Sequence, residues 1–252
     1  MNVADVLAAL DLPVEARLDR RVPKKLLLDN GAPTATDRRA INESIEELVW
    51  VAALKPTTIG VPAYVDDVRE YLEIAVLRLS TRPHAKVARL ANLVHRAVPY
   101  PVVLAIEDGD RIGLSTVHKR RSLGEAGKVV LDDDGVAVQL DVTTDAAWLP
   151  AFLDALGIGR QPKTSMYALY HGWIDTLIAL AAARVTGAFV VLASRADADA
   201  RRAATAEYAR AEAEMGRLRT VAARETQFPR QVELNQQLGR LRAAQAEARA
   251  KL

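Results

Sequence analysis

From Asp197 to Leu252, apolar residues recur at alternating spacings of three and four, and that spacing leaves the segment little choice of structure. Tyr208, Ala211, Met215, Leu218 and Ala222 follow it before the Phe228-Pro229 pair, and Leu234, Leu238 and Leu241 follow it after. This is the period of a coiled-coil seam. Pro229 breaks the run but suits the first turn of a second helix, where its missing N–H removes no bond. The pattern therefore predicts an antiparallel helical hairpin over residues 196–252, its first helix about 45 Å long at about 1.5 Å per residue. Gly216 and Gly239 each cost up to about 1 kcal/mol relative to alanine. With so few large apolar residues, such a pair needs a further surface to pack on. Two outcomes follow: docking on the rest of the chain, or binding a partner or a second copy. The residues predicted to bind a partner are Tyr208, Met215, Leu218, Phe228, Leu234, Leu238 and Leu241.

Composition narrows the remainder. Half of the 252 residues are hydrophobic and 26% are charged, which suits a folded core and not a disordered chain. The formal charge of +2 gives no overall field toward a polyanion, so only local basic clusters can argue for one. There is no cysteine, which removes disulfides, thiolate metal sites and cysteine nucleophiles, and fits a reducing cytoplasm. The first 21 residues carry early acids and no unbroken apolar stretch, unlike a secretory signal. The most apolar run, 173–193, contains Asp175, Arg184 and a Thr186-Gly187 break. A charge at mid-bilayer costs about 2.5–3.5 kcal/mol on insertion scales, so the run reads as a buried helix and the protein as soluble.

Ahead of the hairpin, residues 1–195 read as an α+β domain: a mainly antiparallel sheet with helices packed on it. Residues 2–10 predict a short helix. Thr36 is expected to cap a helix running to about Leu48, with Asp37 in its first turn. Strands are expected at 49–54 and 68–79, and a helix from His84 to Ala97 carries Val87, Leu90, Leu93 and Val94 on one face. Asp108-Gly109 between two apolar runs predicts a hairpin of 102–106 with 111–117. Asp132-Asp133-Asp134-Gly135 predicts a second hairpin, of 128–131 with 136–142, with the three acids at a solvated tip. Helices follow at 146–156 and from Thr164 or Ser165 to Ala183, then a short strand or extended linker at 188–195.

Little of this reads as chemistry. The three tip acids lack the oxygen-ligand pattern of a calcium loop. Gly157-x-Gly159 carries neither a dinucleotide fingerprint nor a Gly-Lys-Ser/Thr ending and reads as a plain loop. His84, His95, His118 and His171 show no metal spacing on a shared helix face, and His171 reads as a hydrogen-bonded structural histidine. Glu70 and Glu73, with Lys24 or Lys86, imitate a metal-dependent nuclease but lack its Glu-x-Lys arrangement. No catalytic residue, metal ligand or cofactor is assigned. Two basic clusters remain as nucleic-acid candidates, Arg20, Arg21, Lys24 and Lys25, and Lys119, Arg120 and Arg121 beside His118. Phosphate contacts need only such cations in a shared groove.

Several stretches, taken in order, resemble an uncharacterised bacterial family catalogued as domain of unknown function 4391. They are Arg21-Val22-Pro23-Lys24, Leu48-Val49-Trp50, the 97–103 segment AVPYPVV, the helix around Met166 to Ile174 with Tyr167 and Tyr170, and the 225–235 segment ETQFPRQVELN. The resemblance covers nearly the whole chain and brings no catalytic residue. It implies a genomic setting beside a helicase and a DNA methyltransferase, in phage-defence or restriction neighbourhoods. The resulting expectation is a non-catalytic accessory or adaptor subunit with those proteins, or a second copy, as partners. The alternatives are a metal-dependent nuclease or a DNA-binding module of the same system.

Overall fold

The computed structural model describes residues 1–125, 128–132 and 135–252. The chain divides into two compact units, Met1–Leu177 and Ile178–Leu252.

In the first unit, α1 (Val3–Ala9) starts at a capping box: Asn2 accepts from the Asp5 N–H while the Asp5 carboxylate accepts from the Asn2 N–H. A 3-10 turn (Val14–Ala16) leads into β1 (Arg17–Arg21), all of whose residues are exposed. Pro23 precedes α2 (Lys24–Asn30), which stops at Gly31. Thr34 caps α3 (Ala35–Ser44) by accepting from the Asp37 N–H at 3.1 Å. Then follow β2 (Ile45–Leu54), the single turn α4 (Pro56–Ile59), and β3 (Tyr64–Val65) paired with β4 (Glu70–Tyr71). β5 (Ile74–Thr81), α5 (Val87–Ala97), β6 (Val102–Asp108) and β7 (Arg111–Thr116) come next. β8 (Lys119–Arg121) pairs with β9 (Val129–Leu131), and β10 (Val136–Leu140), α6 (Leu149–Leu156) and α7 (Met166–Thr186) complete the series. The boundary between the units falls within α7.

The main sheet has the order β1-β2-β5-β6-β7-β10. Every neighbouring pair is antiparallel except β5–β6, which α5 joins as a parallel crossover. Strand alternation sorts the faces. Leu48, Leu77, Leu79, Leu104 and Ile106 form one face and bury against Leu27 of α2, Ile41 of α3, and Leu90, Leu93 and Val94 of α5. At β1, the ladder slips between Arg17 and Arg20, where Asp19 adopts a left-handed φ of 46°. Gly31 sits where α2 meets α5: a methyl group there would lie 2.6 Å from the Leu93 carbonyl oxygen.

The α+β reading holds, with three local corrections. The expected 36–48 helix is capped two residues earlier and ends at Ser44, because Ile45 and Leu48 belong to central strand β2, which pairs on both sides. The expected 68–79 strand is broken, since Asp66 accepts from the Val68 and Arg69 N–H groups and closes a turn ahead of β4. The second hairpin does not form: β9 pairs with β8, and β10 pairs with β7. Asp132 is no solvated tip, because it takes ion pairs from Arg69 and Arg120, while Asp133 and Asp134 lie outside the described residues. The 102–106 with 111–117 hairpin forms as expected, closed by Gly109 at φ 65°.

In the second unit, α8 (Arg195–Ala222) and α9 (Phe228–Arg249) pack together. Ser194 caps α8 through the Asp197 N–H, and no strand occupies the described residues between α7 and α8. No helix among the described residues is long and apolar enough to cross a membrane.

Candidate functional site

Three places gather side chains capable of recognition or chemistry. The first lies at the carboxyl ends of β5 and β6, where open sheets with parallel strands form ligand crevices. A cleft of about 870 Å³ opens there. Register sets its floor: Ser80 pairs with Glu47 on one side and Glu107 on the other. Arg78 donates to Glu47 at 2.7 Å and lies 3.7 Å from Glu107, whose carboxylate also accepts from the Ser80 hydroxyl at 3.0 Å. Thr81 donates to Asp108 at 2.8 Å, and Arg111 lies 3.3 Å from the same carboxylate. His84 on the rim holds a left-handed φ of 65°, an uncommon conformation for a residue with a side chain. A second groove of about 500 Å³ shares Arg21, Glu47 and Arg78 with this cleft and is walled by Val3, Leu7, Val49 and Val51.

The first basic cluster borders the cleft. Arg20 and Arg21 are exposed on β1, and Lys25 is exposed in the first turn of α2. Lys24 donates to the carbonyls of Ile45 and Asn42, at 2.5 and 2.9 Å, at the end of α3. Burial, then the charges of Arg82 and Arg21, lower the Lys24 pKa, so these three cations sit close together. The second cluster is arranged otherwise. Lys119 is 3% exposed and donates to the Val98 carbonyl. Burial pushes its pKa down to about 7. Arg120 lies 3.4 Å from Asp132, and Arg121 donates to the Asp66 carbonyl and faces Glu70. Glu73 lies 3.4 Å from Lys55, so each of the two glutamates weighed for a nuclease takes its own cation. Among the described residues, no three His, Cys, Asp or Glu side chains converge to hold a metal ion.

The second place is buried, and the histidine spacing gave no sign of it. The Tyr71 hydroxyl lies 2.6 Å from His118 Nδ1, His118 Nε2 lies 3.0 Å from His171 Nδ1, and His171 Nε2 lies 3.6 Å from Asp175. Burial raises the Tyr71 pKa, so the phenol keeps its proton. A neutral hydroxyl both donates and accepts, so the chain can run from Tyr71 to His118 to His171 or in the reverse sense, according to the imidazole tautomers. Tyr167 stacks on His118 at 5.0 Å, and the Arg69 guanidinium lies 5.6 Å from the centre of the same Tyr167 ring. This chain ties β4, the residue before β8, and α7 to one another. Its one local signal was His171 and Asp175 four apart on a helix, with Tyr167 one turn earlier.

The third place is the helical hairpin. Met215, Leu218, Leu234 and Leu238 bury one another in its seam, flanked by Ala222 and Leu241, and Tyr208 is half-buried. Phe228 is set apart from that seam, with 74% of its surface exposed. Val232, one turn along the same face of α9, is also exposed. The turn beneath them is ordered: Glu225 Oε1 accepts from the Thr226 and Gln227 N–H groups, each at 2.9 Å, and Gln231 donates to the Glu225 carbonyl at 2.6 Å.

A mixed sheet with one parallel crossover, followed by a paired-helix unit, defines an α+β protein with a helical appendage. The chain belongs to the family described as "Domain of unknown function (DUF4391)", which matches residues 10–244. No curated protein and no solved structure matches it.

Proposed function

We propose that this chain is a non-catalytic accessory subunit that offers the tip of its helical hairpin to a protein partner, in a bacterial defence or restriction system with helicase and DNA methyltransferase components. The observation that carries the reading is Phe228, an exposed aromatic side chain on a turn already locked by Glu225 and Gln231. Aromatic anchors dominate binding energies at interfaces, and a rigid display lowers the ordering cost of association. The leucines of the seam are turned toward each other, so the contact surface moves from Leu234 and Leu238 to Phe228 and Val232.

The test is co-expression with a helicase and a methyltransferase encoded beside the gene, followed by purification through a tag on this chain. Phe228→Asp with Val232→Glu is expected to abolish co-purification while leaving the thermal midpoint within a degree or two, because neither residue is buried. Equal recovery of partner with the double variant, or no partner with the native chain, would refute the proposal.

A further inference from the structure

We infer that the edge of the sheet at β1, together with the adjoining cleft, is a binding site for single-stranded nucleic acid. This reading is independent of the hairpin tip. Arg17, Arg20 and Arg21 are all exposed along β1, and among the described residues none of them makes an ion pair. Lys24 and Arg82 extend the strip, close enough to Arg21 for the three charges to act on one another. Asp19 is the one acid within β1, against three arginines, and the excess of positive charge along the edge is relieved by an anion. From Arg17 to Arg21 the strand runs about 13 Å, at about 3.3 Å per residue, a span that takes several successive phosphates and not one.

The cleft beside the strip selects the rest of the ligand. The acids that line it, Glu46, Glu47, Glu107, Asp108 and Asp110, repel phosphate but accept hydrogen bonds from exocyclic amines, as carboxylates do from the cytosine amino group. Phosphates therefore stay on the arginine edge, and base edges turn toward the carboxylates. The Val49 and Val51 wall of the adjoining groove offers an apolar surface to a base face. Only an unpaired strand frees its base faces for such a wall; in a duplex they are buried in the stack.

The experiment is fluorescence anisotropy of the full chain with labelled oligo-dC, oligo-dT and a duplex of equal length, titrated at several salt concentrations. Single strands are expected to bind more tightly than duplex, and oligo-dC more tightly than oligo-dT. Arg17→Ala/Arg20→Ala/Arg21→Ala is expected to weaken binding roughly tenfold or more at low salt and to reduce the log–log salt slope by about 2, at about 0.7 per lost phosphate contact. Asp108→Asn is expected to narrow the preference for dC over dT while leaving the salt slope unchanged. Arg121→Ala, in the other basic cluster, is expected to bind as the native chain does. No binding of either single strand at low salt, or native affinity in the triple variant, overturns the site. Duplex binding as tight as single-strand binding, or an unchanged base preference in Asp108→Asn, overturns the role of the cleft.

Discussion

Lys119 lends itself to a quantitative test, because burial sets its titration apart from that of any surface lysine. Its ammonium is almost wholly enclosed, donates to the Val98 carbonyl, and pairs with no carboxylate among the described residues. Burial lowers its pKa from 10.5 to about 7. Between those two values the unfolded chain holds a proton that the folded chain has released, so stability must rise with pH. The cost of enclosing the charge is felt in full below pH 7 and fades as pH climbs toward the unfolded value. At about 1.4 kcal/mol per pH unit, and allowing for rounding near the folded pKa, the native chain gains about 2 kcal/mol between pH 7 and pH 9 from this residue. His95, the neighbouring titratable group, is held down to about 3 by burial and then by Lys119, and stays neutral throughout that range. Lys119→Met removes the titration but leaves the Val98 carbonyl without this donor, at a cost of about 1–3 kcal/mol. The variant should therefore compare best with the native chain at pH 6 and lose about 2 kcal/mol of that relative standing by pH 9. Urea unfolding followed by tryptophan fluorescence is the assay, since all three tryptophans, Trp50, Trp148 and Trp173, lie in the unit that holds Lys119. Parallel stability curves for the two proteins between pH 6 and pH 9 would refute the reasoning.

Gly31→Ala should cost about 1–3 kcal/mol, read as a lowered urea midpoint, because the new methyl would meet the Leu93 carbonyl at 2.6 Å and the Ala97 Cβ at 2.8 Å. Leu234→Glu with Leu238→Glu should open the hairpin and expose residues 195–249 to limited proteolysis, whereas Phe228→Asp should leave the digestion pattern native. At Asp37, the Thr34 hydroxyl and then the Arg89 guanidinium hold the carboxyl below its ordinary 3.8. A depressed carboxyl contributes stability above its unfolded pKa and loses it as pH falls through the folded value. Asp37→Asn should accordingly flatten the decline of stability below about pH 4, which acid titration of the fluorescence signal would reveal.

The features legible in the sequence were those that short-range periodicity determines. The seam from Met215 to Leu238 could be read because a helix repeats its faces every few residues, and both partners of that seam are helices. Strand pairing was harder, as the two Asp-Gly signals illustrate. At Asp108-Gly109 the flanking strands pair with each other, while ahead of Gly135 the preceding strand turns to β8 and the following one to β7. Nothing within six residues distinguishes the two; the choice is made by strands elsewhere in the sheet. Lys119, Arg120 and Arg121 read alike as surface charge, yet the first is enclosed on the Val98 carbonyl and the others are set against Asp132 and Glu70. The Tyr71, His118 and His171 chain draws on three separated segments, and the cleft on the ends of five strands, so neither leaves a local pattern to find.

A sheet that ends in a straight outer strand invites a neighbour to continue its ladder, molecule upon molecule. At the β1 border, the left-handed Asp19 interrupts the line of free amides, and arginines on both sides would bring two such borders together charge against like charge. Copies of this protein are thereby kept from zipping together along that rim, even when crowded.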